Sequence, residues 1–175
     1  MLLLLAKMQL RNEDFTAASR ALEAFVAMEP QFAEGQYLLG TAQKLSGHGG
    51  KALVAFQAAV DLKPKWFAPL RDLAWILATH PDARIRNPTE AVRLAKKSIS
   101  VAGKNIPQIL DTLSVAYAAD GRFDQTIEVI ESAIDLDPDG SEDNSVLLRQ
   151  RLINYQQGIP IIDETLLEKD GESVN

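Results

Sequence analysis

"GGKALVAFQAAVDLKP" (residues 49–64) decides the fold, because the chain repeats its pattern at a fixed interval. "FTAASRALEAFVAMEP" (15–30) places Ala18, Leu22 and Pro30 where the first stretch has Ala52, Phe56 and Pro64, an offset of 34 residues. "FDQTIEVIESAIDLDP" (123–138) places Thr126, Ile130, Ala133 and Pro138 at the same positions. Ahead of each copy lies a second helical pattern that ends in a turn: "LLLLAKMQLRNED", "EGQYLLGTAQKLSGHG" and "ILDTLSVAYAADGR". Leu39-Gly40, Leu73-Ala74 and Leu113-Ser114 each set a large residue beside a small one, so two antiparallel helices can approach closely. Gly47 and Gly121 fall in the turns, where a left-handed backbone costs glycine least.

A 34-residue period with terminal prolines resembles the tetratricopeptide repeat. Tyr37, Gly40, Gly47, Ala52, Phe56, Ala59 and Pro64 carry the resemblance in one copy, and Leu113, Tyr117, Gly121, Phe123, Ala133 and Pro138 in another. It covers roughly residues 1 to 140 and is closest in style to the closing repeats of bacterial multi-repeat proteins. The resemblance implies an all-α fold: a right-handed α-solenoid of helix-turn-helix repeats with one concave face and a C-terminal capping helix. The expected organisation is a repeat domain over 1–158, with repeats at 1–32, 33–66, 67–106 and 107–140 and a capping helix at 141–158. Asp139-Gly140-Ser141 starts that helix, whose apolar stripe is Val146, Leu148 or Leu147, Leu152 and Tyr155. A tail follows at 159–175, with Ile159 to Ile162 packing back and disorder expected past Glu168.

The third copy departs from the period, since Ala52 and Ala91 are 39 apart rather than 34. The extra residues sit in "HPDARIRN" (80–87). This stretch contains His80-Pro81-Asp82, the tripeptide of J-domain co-chaperones, but without that family's basic helix ahead of it: only Arg71 is present, opposed by Asp72. Turn chemistry accounts for every residue. Pro81 ends the helix at or before His80, Asn87 caps the next one, Pro88 opens it and Glu90 closes a capping box.

Composition narrows the function. The absence of cysteine excludes disulfides, thiolate zinc sites and thiol nucleophiles, and fits a cytoplasmic location, with the periplasm as alternative. A net charge of −6 argues against nucleic acid, which needs clustered Lys and Arg. No apolar run is long enough for membrane insertion, and Lys7 interrupts Met1–Leu5 too early for a secretory leader. His48 and His80 lie in different turns, "SGHGGK" (46–51) lacks phosphate-loop spacing, and "IDLDPDGSEDN" (134–144) does not follow a calcium-loop pattern. The chain is therefore expected to be a non-enzymatic scaffold with no cofactor.

The resemblance places partner binding on the first helix of each repeat, which lines the concave groove. It implies a groove made of Tyr37, Leu38, Thr41, Lys44, Arg71, Trp75, Asp111, Thr112 and Val115, taking a peptide or helix of a protein partner. Trp75 either lines this groove as a hot spot or fills space inside its own helix pair, beside Ala74 and Ala91. Trp66 is expected to pack between neighbouring repeats. The lysine and asparagine set that clamps chaperone carboxylate tails is not present. An alternative function is assembly: Leu2, Leu3, Leu4 and Leu5 form an apolar end that pairs in a homodimer or docks on an upstream domain.

Overall fold

The computed structural model describes residues 1–136 and 142–167, with the side chains of 142–145 left aside. Pro138 and Asp139-Gly140-Ser141, the expected repeat end and helix start, lie outside the described residues, as does the tail from Glu168. Among the described residues the chain is all-α. Its helices are α1 (Leu2–Arg11), α2 (Phe15–Met28), α3 (Ala33–Leu45), α4 (Gly49–Leu62), α5 (Phe67–Thr79), α6 (Pro88–Ala102), α7 (Pro107–Ala119), α8 (Phe123–Asp135) and α9 (Glu142–Gln156). A short 3-10 turn, Glu164–Leu166, follows. Among the described residues the helices divide between two compact units, one of Met1–Lys65 with residues 164–167, the other within Trp66–Asp163.

In the first unit α1 pairs with α2 and α3 with α4, while α2 also packs on α3. Its core holds Ala6, Ala18, Ala21, Leu22, Leu39, Ala42 and Ala55, with Leu3, Leu10, Val26 and Leu38 against it. The many alanines reflect close helix approach. A Cβ on Gly40 would stand 2.6 Å from the Phe56 ring, and Phe56 is fully buried. Only glycine lets α3 lie this near to α4.

The turns repeat as faithfully as the helices. The Asp14 N–H donates to the Gln9 carbonyl at 3.0 Å, His48 to Gln43 at 2.8 Å, and Arg122 to Tyr117 at 2.9 Å. Each closure needs the preceding residue left-handed. Gly47 (φ 82°) and Gly121 (φ 76°) supply this without strain, whereas the first turn uses Glu13 at φ 60°. The Asp14 carboxylate then caps α2, accepting the Ala17 N–H at 3.1 Å.

In the second unit α5 pairs with α6, α7 with α8, and α9 with α8; α7 also packs on both α5 and α6. Leu70, Leu73, Ile76, Leu94, Ile109, Val115, Ile130, Leu148 and Tyr155 are buried. The inserted turn is held by its own bonds. Asn87 accepts the Glu90 N–H at 3.2 Å, and Arg86 donates to the carbonyls of His80 at 2.7 Å and Pro81 at 3.0 Å. Asp82 chelates Arg84, and its N–H donates to His80 Nδ1 at 3.0 Å. His80 is 2% exposed, so the tripeptide presents no histidine to a partner.

Two details differ from expectation. Glu90 does not close a capping box: its carboxylate takes Arg93 at 2.6 and 2.7 Å, because a bidentate charged pair one turn ahead outcompetes a neutral N–H. In α9, Val146 is 64% exposed and Leu147 46%. The inward stripe is instead Leu148, Arg151, Leu152 and Tyr155, at the i, i+3, i+4, i+7 spacing of one helical face.

Candidate partner-binding face

On α3, Tyr37, Thr41 and Lys44 fall one turn apart and are half-buried. The Tyr37 ring leans on Phe56 at 5.7 Å, and the Thr41 hydroxyl donates to the Tyr37 carbonyl at 3.0 Å. Leu38 turns inward against the core of this unit. On α1 the four leucines separate. Leu2 and Leu3 are half-buried, while Leu4 (67%) and Leu5 (46%) stay exposed beside Met1 and Met8.

The second unit brings more of the candidates together. Arg71 is half-buried and holds Asp72 at 2.8 and 3.0 Å. Trp75, one turn on, is half-buried rather than enclosed. From α7, Asp111 reaches toward the same place, but Thr112 (2%) and Val115 (1%) are buried and do not join the surface. The Thr112 hydroxyl donates to the Gln108 carbonyl at 3.0 Å.

Two residues outside the expected set complete this face. Arg151 of α9 lies over the Trp75 ring, 4.9 Å from its centroid, and donates to the Asp111 carboxylate. Asp163 accepts the Trp75 indole N–H at 2.9 Å, and its own N–H donates to the Thr79 carbonyl at 2.9 Å. The result is a layered contact in which carboxylate, guanidinium and indole each satisfy a neighbour. Burial pushes the Asp111 carboxyl above its ordinary range, with Arg151 opposing that shift. Tyr155, 1% exposed, is pushed well up by burial and by the negative charge of Asp111.

The local physics explains why a tail settles here. The last carbonyls of a helix have no partner within it. In α5 the Ile76 carbonyl takes the His80 N–H, the Leu77 carbonyl takes Asn87, and the Thr79 carbonyl takes Asp163. Residues 159–163 lie outside any helix; Ile161 and Asp163 are half-buried, while Ile159 (50%), Pro160 and Ile162 (40%) are exposed. Packing back therefore involves Ile161 and Asp163, not the whole of 159–162. Arg151 had one signal in the sequence, a charge set inside an apolar helical stripe. Asp163 had none.

Chemically the face offers an indole N–H, a helix-end carbonyl, a guanidinium and a carboxylate. These groups suit recognition of an extended chain and provide no nucleophile with an adjacent base. Among the described residues no three His, Asp or Glu converge as a metal site, and no helix is long and apolar enough to cross a membrane.

Comparison with known proteins agrees with this architecture. A tetratricopeptide-repeat family model matches residues 107–139. No curated protein matches the chain. Among solved structures, TTC0263, a thermophilic TPR protein of Thermus thermophilus, is 19% identical with a TM-score of 0.66, over 89% of this chain and 80% of that one. MamA of Desulfovibrio magneticus RS-1 is 20% identical with a TM-score of 0.67, over 88% and 85%. The TPR-like repeats of a putative kinesin light chain from Podosopora anserina are 17% identical with a TM-score of 0.66, over 90% and 84%. At these identities the likeness concerns fold. Residues 107–139 are a tetratricopeptide repeat, and the chain has the α-solenoid fold of tetratricopeptide-repeat proteins.

Proposed function

We propose that the chain is a non-enzymatic scaffold that holds a peptide or helix of a protein partner on the first-helix faces of its repeats. Tyr37, Thr41 and Lys44 form the contact surface of the first unit. Arg71, Trp75 and Asp111 form that of the second. One observation carries the reading: Trp75 is only partly buried, and its indole N–H already serves a carboxylate of the chain that follows α9. Trp and Arg at a solvent-edge site are the residue types on which binding energy concentrates. The fold itself is one that typically binds protein partners, and its known uses are mostly non-catalytic.

The test is crosslinking capture from a lysate of the source organism, comparing wild type with an Arg71→Glu, Trp75→Ala variant of equal helicity and melting. The expected result is a protein retained by wild type and lost by the variant. Identical captures by both would overturn this reading.

A second reading is self-assembly through α1. Met1 (110%), Leu4 (67%), Leu5 (46%) and Met8 (55%) are exposed at i, i+3, i+4, i+7, one continuous apolar face. Light scattering over a wide concentration range tests it: a dimer that Leu4→Lys converts to monomer supports it, and a monomer throughout ends its homodimer form.

A further inference from the structure

We infer that residues 159–163 are an internal occupant of the partner face in the second unit, and that the partner is an extended segment of the same chemistry: apolar residues followed by a carboxylate. The inference rests on the scaffold reading and names what that face takes. The occupant is seated as a bound peptide would be. It lies outside any helix, Ile161 and Asp163 turn partly inward, and one residue supplies both a backbone and a side-chain bond. The backbone bond, from Asp163 N–H to the Thr79 carbonyl, reads no sequence. The side-chain bond, from the Trp75 indole to the Asp163 carboxylate, selects an acidic residue at that position. Arg151 strengthens this selection by placing positive charge over the indole ring.

Nothing in this seating demands a buried core. Ile159, Pro160 and Ile162 are exposed, and only Ile161 and Asp163 are partly buried, so few apolar contacts within the segment oppose its release. A tether of a few residues after α9 holds the segment at high effective concentration all the same. A free partner must therefore displace it, and its apparent affinity falls by the fraction of molecules in which the face is open.

The experiment uses the full chain and a fluorescein-labelled peptide of residues 156–165, followed by anisotropy. If the internal segment is docked in about nine molecules of ten, Asp163→Ala in the protein tightens peptide binding about tenfold. Replacing the peptide's own aspartate by alanine is expected to weaken its binding to the Asp163→Ala protein, where the face is open, about tenfold or more. In nitrogen-15 spectra the Trp75 indole N–H resonance should move on Asp163→Ala and return toward its wild-type position when peptide is added. Should Asp163→Ala melt early, Asp163→Asn, which keeps the side-chain volume, takes its place in the same assay.

Equal affinities in wild type and variant, or no binding by either, overturn the internal occupant. An alanine peptide that binds the Asp163→Ala protein as tightly as the aspartate peptide does overturns carboxylate recognition. Failure here is separable from failure of the scaffold reading. Partner capture lost in the Arg71→Glu, Trp75→Ala variant, with equal peptide affinities, leaves the scaffold standing and removes the occupant.

Discussion

At the scale of single residues, Asp82 shows how much chemistry a surface turn can hold. The Arg84 side chain, then its backbone N–H, lower the Asp82 pKa from the ordinary 3.8 to about 2. A carboxyl depressed on folding stabilises the native state above its unfolded pKa, and that contribution is lost as pH falls from about 4 through 2. The pair lies at the surface, where solvent screens it, so its worth to stability is small and the titration is the better readout. Carbon-detected NMR of the Asp82 carboxyl should give a midpoint near 2, and Arg84→Gln should raise it toward 3.8. An unchanged midpoint would mean that the Asp82–Arg84 chelate does not persist in solution. Residues of this turn were legible where backbone chemistry governs them: Pro81 had to end a helix and Asn87 had to cap one. The partner of Glu90 was not, because Asn87 and Arg93 compete for it and only geometry says which wins.

At the scale of helices and turns, the same residue type does two separable jobs. Gly40 is needed for space: its missing Cβ would overlap the buried Phe56 ring at 2.6 Å. Gly121 is needed for conformation: its φ is 76°, and a Cβ there would meet nothing within 4 Å. Gly40→Ala should therefore cost about 1–3 kcal/mol through overpacking. Gly121→Ala should cost about 1–2 kcal/mol through the left-handed backbone alone. Urea unfolding measures both, and a second substitution separates the causes. Phe56→Leu should recover part of the Gly40→Ala loss and none of the Gly121→Ala loss. Equal recovery, or none in either, would refute the assignment. The pairing of large and small residues at Leu39-Gly40 made this close approach readable in the sequence. Glu13 was not readable as a left-handed residue, because its turn follows the pattern set by Gly47 and Gly121 without their glycine.

At the scale of the whole molecule, what was legible divides by distance along the chain. A repeat is a local statement, and its 34-residue period reports helix pairs, their turns and the small residues between them. The candidate site depends on two bonds that the period cannot report. Asp111 and Arg151 are 40 residues apart, and Trp75 and Asp163 are 88 apart. Both partners lie after the last repeat, in a helix and a tail that resemble no other part of the sequence. Thr112 and Val115 were assigned to a surface for the same reason: a period places residues on a helical face but not what covers that face. Whether the long bond matters energetically is a question for a double-mutant cycle. Trp75→Phe keeps a ring under Arg151 while removing the N–H, and Asp163→Ala removes the acceptor. A part-buried bond to a charged acceptor should couple the two by about 1 kcal/mol in urea unfolding, so the double variant loses less than the sum of the singles. Strict additivity would show that the indole and the carboxylate do not meet in solution, leaving the tail held at this point by the backbone bond to Thr79. A coupling well above that size would instead tie the tail to the stability of the unit, and a partner would then have to unfold part of the face to enter it.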